Sequence, residues 1–344
     1  MACLCGHSIG LSEDNMRLKC AFSNNPRVQP LADGTIQIEG AECEWQRGSP
    51  ANLHLRHLND DTFDVFEFSL SNFLIVRDRQ ERRQRLRWQA IPIFLSKATM
   101  WLHLNIYVHV DSGIHSLADL KGKRFGVPDY QMTAAVWMRI VLRQLYGITP
   151  QDIDWVNGRP PSHTHGQGAT DYLAQGIRLR RLDGRESLND LLQRGEVDAA
   201  YGDNDSADVR PSASVRPLFV PGDATEILGA FRAKTGITPV NHVLMMQERL
   251  IEQYPDLPMK VFHAFEQSKQ EAYRRARQAA GGYLLFPHDH FAKVAALFGE
   301  DPYPSGIAAN RLMLKMVAEE VYSEGLVREP PDTESLFAEA TRGT

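Results

Sequence analysis

Glu67 stands between Phe66 and Phe68, just past the short apolar stretch 63–66. A carboxylate left unpaired among aromatic rings holds its proton more tightly than usual, which suits acid–base work; a structural ion pair is the equal alternative. Ser69 and Ser71 follow at the start of a helical pattern, where a hydroxyl either donates to an anion or caps the helix. Further on, the stretch 117–138 reads LADLKGKRFGVPDYQMTAAVWM. It spells a helical turn, a Lys-Gly-Lys corner, a strand Arg124–Val127, a polar step, and a helix that begins near Thr133. A strand feeding a helix N-terminus leaves backbone N–H groups unpaired, and with the helix dipole these favour a carboxylate. An ordinary capped βα unit carries the same pattern. Asp203 and Asn204 end the strand 197–201, where they bind ligand hydroxyls or form a turn. His163-x-His165 and His288-x-His290 have a chelating spacing but no accompanying set of carboxylates or cysteines, so exposed loop histidines and no metal are expected.

These residues need elements to hold them. The pattern predicts strands at Met16–Phe22, 35–45, 63–66, 90–95, 105–110, Arg124–Val127, 153–156, 177–182, 197–201, 215–220 and 240–246. Helical patterns cover 51–58, 69–76, 188–193 and 224–234, the last closed by Gly236, and everything beyond 246 reads as helical. Strands separated by helices imply an α/β fold with a mostly parallel sheet covered on both faces. The chain has 344 residues, enough for two cores. Its formal net charge of −5 gives no global pull toward nucleic acid or anionic membrane, and no apolar run reaches the length of a membrane span. Residues 1–15 lack a basic leader and an apolar core, so a flexible extension is expected there, not a secretory signal. All four cysteines (Cys3, Cys5, Cys20, Cys43) fall in the first 43 residues, which suits free thiols in a reducing cytoplasm. The basic run 77–87, RDRQERRQRLR, reads as a solvated helix end or loop. There is no phosphate-binding glycine loop and no HExxH helix.

The phrases SLADLKGKRFGVP and SLNDLLQRGEVDAAYGD (187–203) resemble the second lobe of type II periplasmic-binding-protein folds. The chain resembles more closely an enzyme branch of that fold, the 4,5-dihydroxyphthalate decarboxylase-like family. The matching phrases are FDVFEFSLSNFL (63–74), IYV (106–108), GVPDYQMTAAVWMR (126–139), TGITPVNHVLMM (235–246) and GIAANR (306–311). They run in the family's order over most of the chain, and YQMTAAVW is the specific one.

The resemblance implies two lobes of mixed, mostly parallel sheets with a ligand cleft between them. Lobe one would comprise 16–111 and 237–344, lobe two 112–236, with crossings near 108–113 and 236–241 and strands 105–110 and 240–246 side by side. It implies loss of CO2 from a hydroxylated aromatic acid, with a small aromatic carboxylate as partner, no cofactor, and homo-oligomerisation left open. His103 and His242 match family histidines; with Glu67 they are the proton-transfer candidates, although a lone histidine near a strand is usually a packing residue. Tyr130, Gln131, Met132 and Thr133 would anchor a carboxylate.

The chain departs from the family pattern P-S-R-x-F-R-H. Here 95–103 read LSKATMWLH, with Lys97 and Leu102 where arginines stand, and lysine lacks the bidentate fork of arginine. A different substrate is expected, with one carboxylate or a larger aromatic body. The loop 158–168 also looks private to this chain. Two other readings stand beside the decarboxylase. One is a solute-binding module, disfavoured by the absent signal peptide. The other is a further enzyme on the fold, such as the thiamine-precursor synthases, whose cysteine motif is missing after Cys43.

Overall fold

The computed structural model describes residues 16–60, 62–78, 87–95, 105–165, 168–202, 209–220 and 222–344. The expected extension 1–15 lies outside them, as does most of the basic run. The strands are β1 (Met16–Phe22), β2 (Ala41–Arg47), β3 (Val65–Ser69), β4 (Trp88–Leu95), β5 (Ile106–His109), β6 (Arg124–Val127), β7 (Asp154–Asn157), β8 (Arg178–Arg181), β9 (Ala199–Tyr201), β10 (Val215–Pro217) and β11 (His242–Gln247). The helices are α1 (Gln29–Ala32), α2 (Pro50–Asn59), α3 (Leu70–Asp78), α4 (Thr133–Tyr146), α5 (Leu188–Gln193), α6 (Asp223–Thr235), α7 (Glu248–Gln253), α8 (Leu257–Ala280), α9 (Pro287–Phe298) and α10 (Ile307–Ser323).

Two mixed sheets flanked by helices make a two-lobed α/β fold. The first runs β2-β1-β3-β11-β4 and the second β10-β5-β9-β6-β7-β8. In the first, β1, β2 and β3 are parallel and β11 inserts antiparallel between β3 and β4. Edge strand β2 alternates half-buried and exposed residues, with Glu42, Glu44 and Gln46 outward; central β3 is buried throughout, as a strand covered on both faces must be.

The pairing corrects the expected neighbours. β5 does not lie beside β11: it pairs antiparallel with β9 and β10 in the second sheet, with Ile106 opposite Tyr201. A lobe boundary at 111 therefore cuts β5 from its own sheet. The chain end is also not wholly helical. Ala338 donates to the Ala90 carbonyl and Ala90 to that of Leu336, so the tail borders β4.

Helix α4 ties the lobes together. All ten residues from Thr133 to Leu142 are buried, and Gly147 ends the helix at φ 66° with its N–H on the Arg143 carbonyl. The Trp137 indole donates to the Val240 carbonyl at 2.8 Å. Arg139, 1% exposed, makes a two-pronged ion pair with Glu324 at 2.7 Å, and Arg143 meets Glu320 at 2.8 Å, fixing α4 against α10. Burial, and then the neighbouring Glu324 charge, push the Glu320 carboxyl up to about 9. No helix among the described residues is long and apolar enough to cross a membrane.

Candidate active site

The ends of β1, β2 and β3 and the start of β11 meet the β6–α4 turn around a cavity of about 460 Å³. That is the carboxyl edge of the parallel strands, where open α/β sheets bind ligands. From the first lobe come Ser23, Arg47, His54, Glu67, Ser69, Asn72 and His242; the second contributes Met132, Thr133, Ala134, Arg159, His165 and Tyr201.

Antiparallel pairing sets His242 opposite Ser69 and Leu244 opposite Glu67. Glu67 and His242 are thus diagonal neighbours on one face of the sheet, close enough for side chains to meet. His242 Nδ1 lies 2.5 Å from Glu67 Oε1. The second carboxylate oxygen accepts the Ser23 N–H at 2.9 Å and its hydroxyl at 2.8 Å, and Arg47 fixes Ser23 by donating to its carbonyl at 2.8 Å. Burial alone would push the Glu67 carboxyl up. The bond and charge of His242 and the Ser23 donors outweigh it and hold the group below its ordinary range. A raised proton affinity, expected for an unpaired Glu67, is therefore overturned by its partners. With Nδ1 committed, Nε2 is the ring nitrogen left to meet a ligand.

Two further imidazoles stand beside this pair. His54 is edge-on to His242 at 4.8 Å between centroids and to His165 at 5.6 Å. Burial first, and then the charges of His242 and His165, hold His54 far below its ordinary value, so it is neutral. His165 is held down to about 3 by burial and then by Arg159. The second lobe presents the N-terminus of α4, whose N-cap Met132 makes no side-chain capping bond. Beneath it Asp129, 1% exposed, is pushed up to about 6 by burial, against the charge of Arg159 and the bonds from His165 and Thr164.

Of the residues singled out from sequence, Glu67, Ser69, Met132, Thr133 and His242 line the cavity. Ser71, Tyr130 and Gln131 do not. Ser71 is wholly buried, its N–H on Thr133 Oγ1 at 3.0 Å and its hydroxyl on the Gln131 carbonyl at 2.6 Å, so it clasps the lobes. The Tyr130 ring is buried under the Arg139 guanidinium at 3.9 Å, and the Gln131 amide donates to Thr164 at 2.5 Å. Lys97, His103, Asp203 and Asn204 lie outside the described residues. His163, His288 and His290 are exposed as expected, but His165 is 4% exposed and faces the cavity, because the loop carrying it folds inward onto Asp129. Among the described residues no group of three His, Cys, Asp or Glu side chains is arranged to hold a metal ion.

Arg47, His54 and Arg159 escaped the sequence reading. Two of them left a trace: His54 and His57 share the buried face of α2 with Leu53, and Arg159 follows the carboxyl end of β7 between Gly158 and Pro160.

This two-lobed fold is the one seen in periplasmic binding proteins. The aliphatic sulphonate-binding protein SsuA of Escherichia coli superposes with a TM-score of 0.55 at 15% identity, covering 96% of this chain and 100% of that one. A cysteine-to-serine mutant of the desulfurization enzyme DSZB, in complex with biphenyl-2-sulfinic acid, superposes with a TM-score of 0.53 at 18% identity, covering 96% and 98%. No family model matches the chain. Curated relatives do. The 4,5-dihydroxyphthalate decarboxylase of Comamonas testosteroni is 31% identical over 329 residues, 95% of this chain and 97% of the relative. That of Pseudomonas putida is 33% identical over 189 residues, 55% and 71%. The chain belongs to the 4,5-dihydroxyphthalate decarboxylase family and, as a member, is classed as a carboxy-lyase.

Proposed function

We propose that the chain removes CO2 from a hydroxylated aromatic carboxylic acid resembling 4,5-dihydroxyphthalate, without a cofactor. The observation that carries this reading is the His242–Glu67 pair, buried on one side of a cavity whose other side is a helix N-terminus. The unpaired N–H groups at the start of α4 hold a carboxylate that stays on the ring. His242, as imidazolium with Glu67 as its counter-charge, delivers a proton from Nε2 to the ring carbon bearing the leaving carboxylate. The ortho or para phenol oxygen supplies electron density for that protonation. The bond to the carboxylate then breaks, its electron pair restores the aromatic ring, and CO2 departs. Neutral His54 and His165 suit the leaving group, since a charge-dispersing transition state gains from surroundings that do not pin the carboxylate. The phenol does the electronic work a cofactor performs elsewhere, so the reading needs none. Cys20 and Cys43, free thiols, fit a reducing cytoplasm.

The test is CO2 release by the purified, chelator-treated protein across 4,5-dihydroxyphthalate and a panel of mono- and dihydroxybenzoates. The reading expects release from at least the dihydroxylated acids. Thermal stabilisation by these acids with no CO2 from any of them points instead to a binding module.

A further inference from the structure

One surface feature takes no part in the proposed chemistry. After Lys269 only Ala280 of α8 is buried, and no residue of α9 is. About three turns of α8 and the start of α9 therefore form an arm that stands out from the sheets. Its base is stapled: Lys269 Nζ donates to Asp301 Oδ2 at 2.7 Å, and the Tyr273 hydroxyl to Asp301 Oδ1 at 3.1 Å. The end of α9 docks on α6, where a Cβ at Gly229 would stand 3.4 Å from the Leu297 side chain. Between the two helices runs GGYLLFP (281–287). That turn is ordered, with the Tyr283 and Leu284 N–H groups both on the Ala280 carbonyl, at 3.0 and 2.8 Å, and Pro287 opening α9. Yet Tyr283 is 87%, Leu285 91% and Phe286 71% exposed, with Leu284 and Val294 also at the surface. Nowhere else among the described residues are two consecutive large apolar side chains exposed. An exposed apolar run of this length marks an interface.

We propose that this tip is the surface by which two copies of the chain pair about a two-fold axis, tip against tip. Area favours it. At about 200 Å² for a whole ring, the two aromatics expose roughly 300 Å², and their aliphatic neighbours bring the tip to roughly 500 Å². Two such tips bury about 1,000 Å², the lower bound of a specific interface. Charge favours it as well. Residues 271–301 hold four basic side chains (Arg274, Arg275, Arg277, Lys293) and four acidic ones (Glu271, Asp289, Glu300, Asp301). A rim with both signs in equal number meets its own copy without net repulsion, whereas an arm made for anionic lipid carries a cationic excess. A head-to-tail assembly would need a second apolar run to receive the tip, and the described surface has none; a two-fold contact needs only the one patch. The stapled base holds the tip ready, so pairing costs little ordering.

Sedimentation velocity of the full chain at about 1 to 100 μM tests it. The wild type is expected to sediment at twice the chain mass or a multiple of that. Leu285→Glu/Phe286→Ser should halve the sedimenting mass and weaken self-association at least about a hundredfold. Its far-UV circular dichroism should match the wild type, because both replaced side chains are exposed. Tyr283→Ser alone should weaken association at least about tenfold, and it decides the matter should the double variant fail to fold. Leu312→Ser, an exposed apolar residue off the arm, should leave association unchanged. A monomeric wild type, a mass unchanged in the tip variants, or an equal loss in Leu312→Ser overturns the proposal. So does a monomer that floats with phosphatidylcholine vesicles through its tip, which would make the occupant a lipid surface.

Discussion

Replacing Glu67 by glutamine changes one charge and almost no volume. The glutamine oxygen still receives the Ser23 N–H and hydroxyl, which lie 2.9 and 2.8 Å from the carboxylate now. Its amide group then faces His242 Nδ1 across the present 2.5 Å contact. Nδ1 must become an acceptor, the ring proton moves to Nε2, and the imidazolium loses its counter-charge. Opposite charges about 4 Å apart attract by about 4 kcal/mol at an effective dielectric of about 20. At about 1.4 kcal/mol per tenfold, kcat should fall about a thousandfold. In the proposed mechanism the retained carboxylate is held by the other lobe, so KM should stay within about threefold. Initial rates of CO2 release against substrate concentration, near neutral pH, read both constants. A kcat within about threefold of wild type, or a loss confined to KM, would refute the assignment.

Three further outcomes follow from the packing. The His57 imidazole stacks on the Phe66 ring at 4.0 Å, and burial holds it down to about 3 from an ordinary value of 6.5. Between those values the unfolded chain binds a proton that the folded one refuses, so this residue lowers stability as pH falls below about 6.5, by about 1.4 kcal/mol per unit. His57→Phe should flatten the stability–pH curve by about one proton, and urea unfolding at several acidic pH values that gives parallel curves would contradict this. Arg139→Met leaves Glu324 buried without its cation and should cost about 3–5 kcal/mol, while Arg139→Met/Glu324→Met should cost clearly less; equal losses in denaturant midpoints would argue that the pair does not hold α4 to α10. Thr133→Val removes the acceptor of the Ser71 N–H and should cost about 1–3 kcal/mol, with an unchanged melting temperature as the contrary result.

The local units of this fold were legible and its long-range joins were not. Arg124–Val127, the helix beginning at Thr133 and the glycine cap at 236 follow from neighbouring residues alone: an apolar strand, a polar step, a left-handed stop at φ 74°. Which strand lies beside which is a different matter. β5 carries the same alternation whether it pairs with β9 or β11, and only the chain's path decides. Glu67 and His242 were legible as candidates, but their contact depends on β11 reversing direction between β3 and β4. Ser71, Tyr130 and Gln131 show the opposite error. Polar residues at a helix start suit a ligand and the protein's own packing equally, and here packing takes them: Ser71 bonds the other lobe, while Tyr130 lies under Arg139 and Gln131 bonds Thr164 within their own. His165 and Arg159 were hidden because a Pro- and Gly-rich loop looks solvated until a buried carboxylate, Asp129, is seen to hold it inward.

The central claim is proton delivery by His242 to a ring carbon that loses CO2. Turnover of 4,5-dihydroxyphthalate in heavy water, without added cofactor, tests it most directly. The account predicts CO2 release with one deuterium at the vacated ring position, and near-complete loss of both in His242→Asn while acid binding persists. Unchanged turnover in His242→Asn, or no CO2 from a wild-type protein that binds the acid, would contradict it.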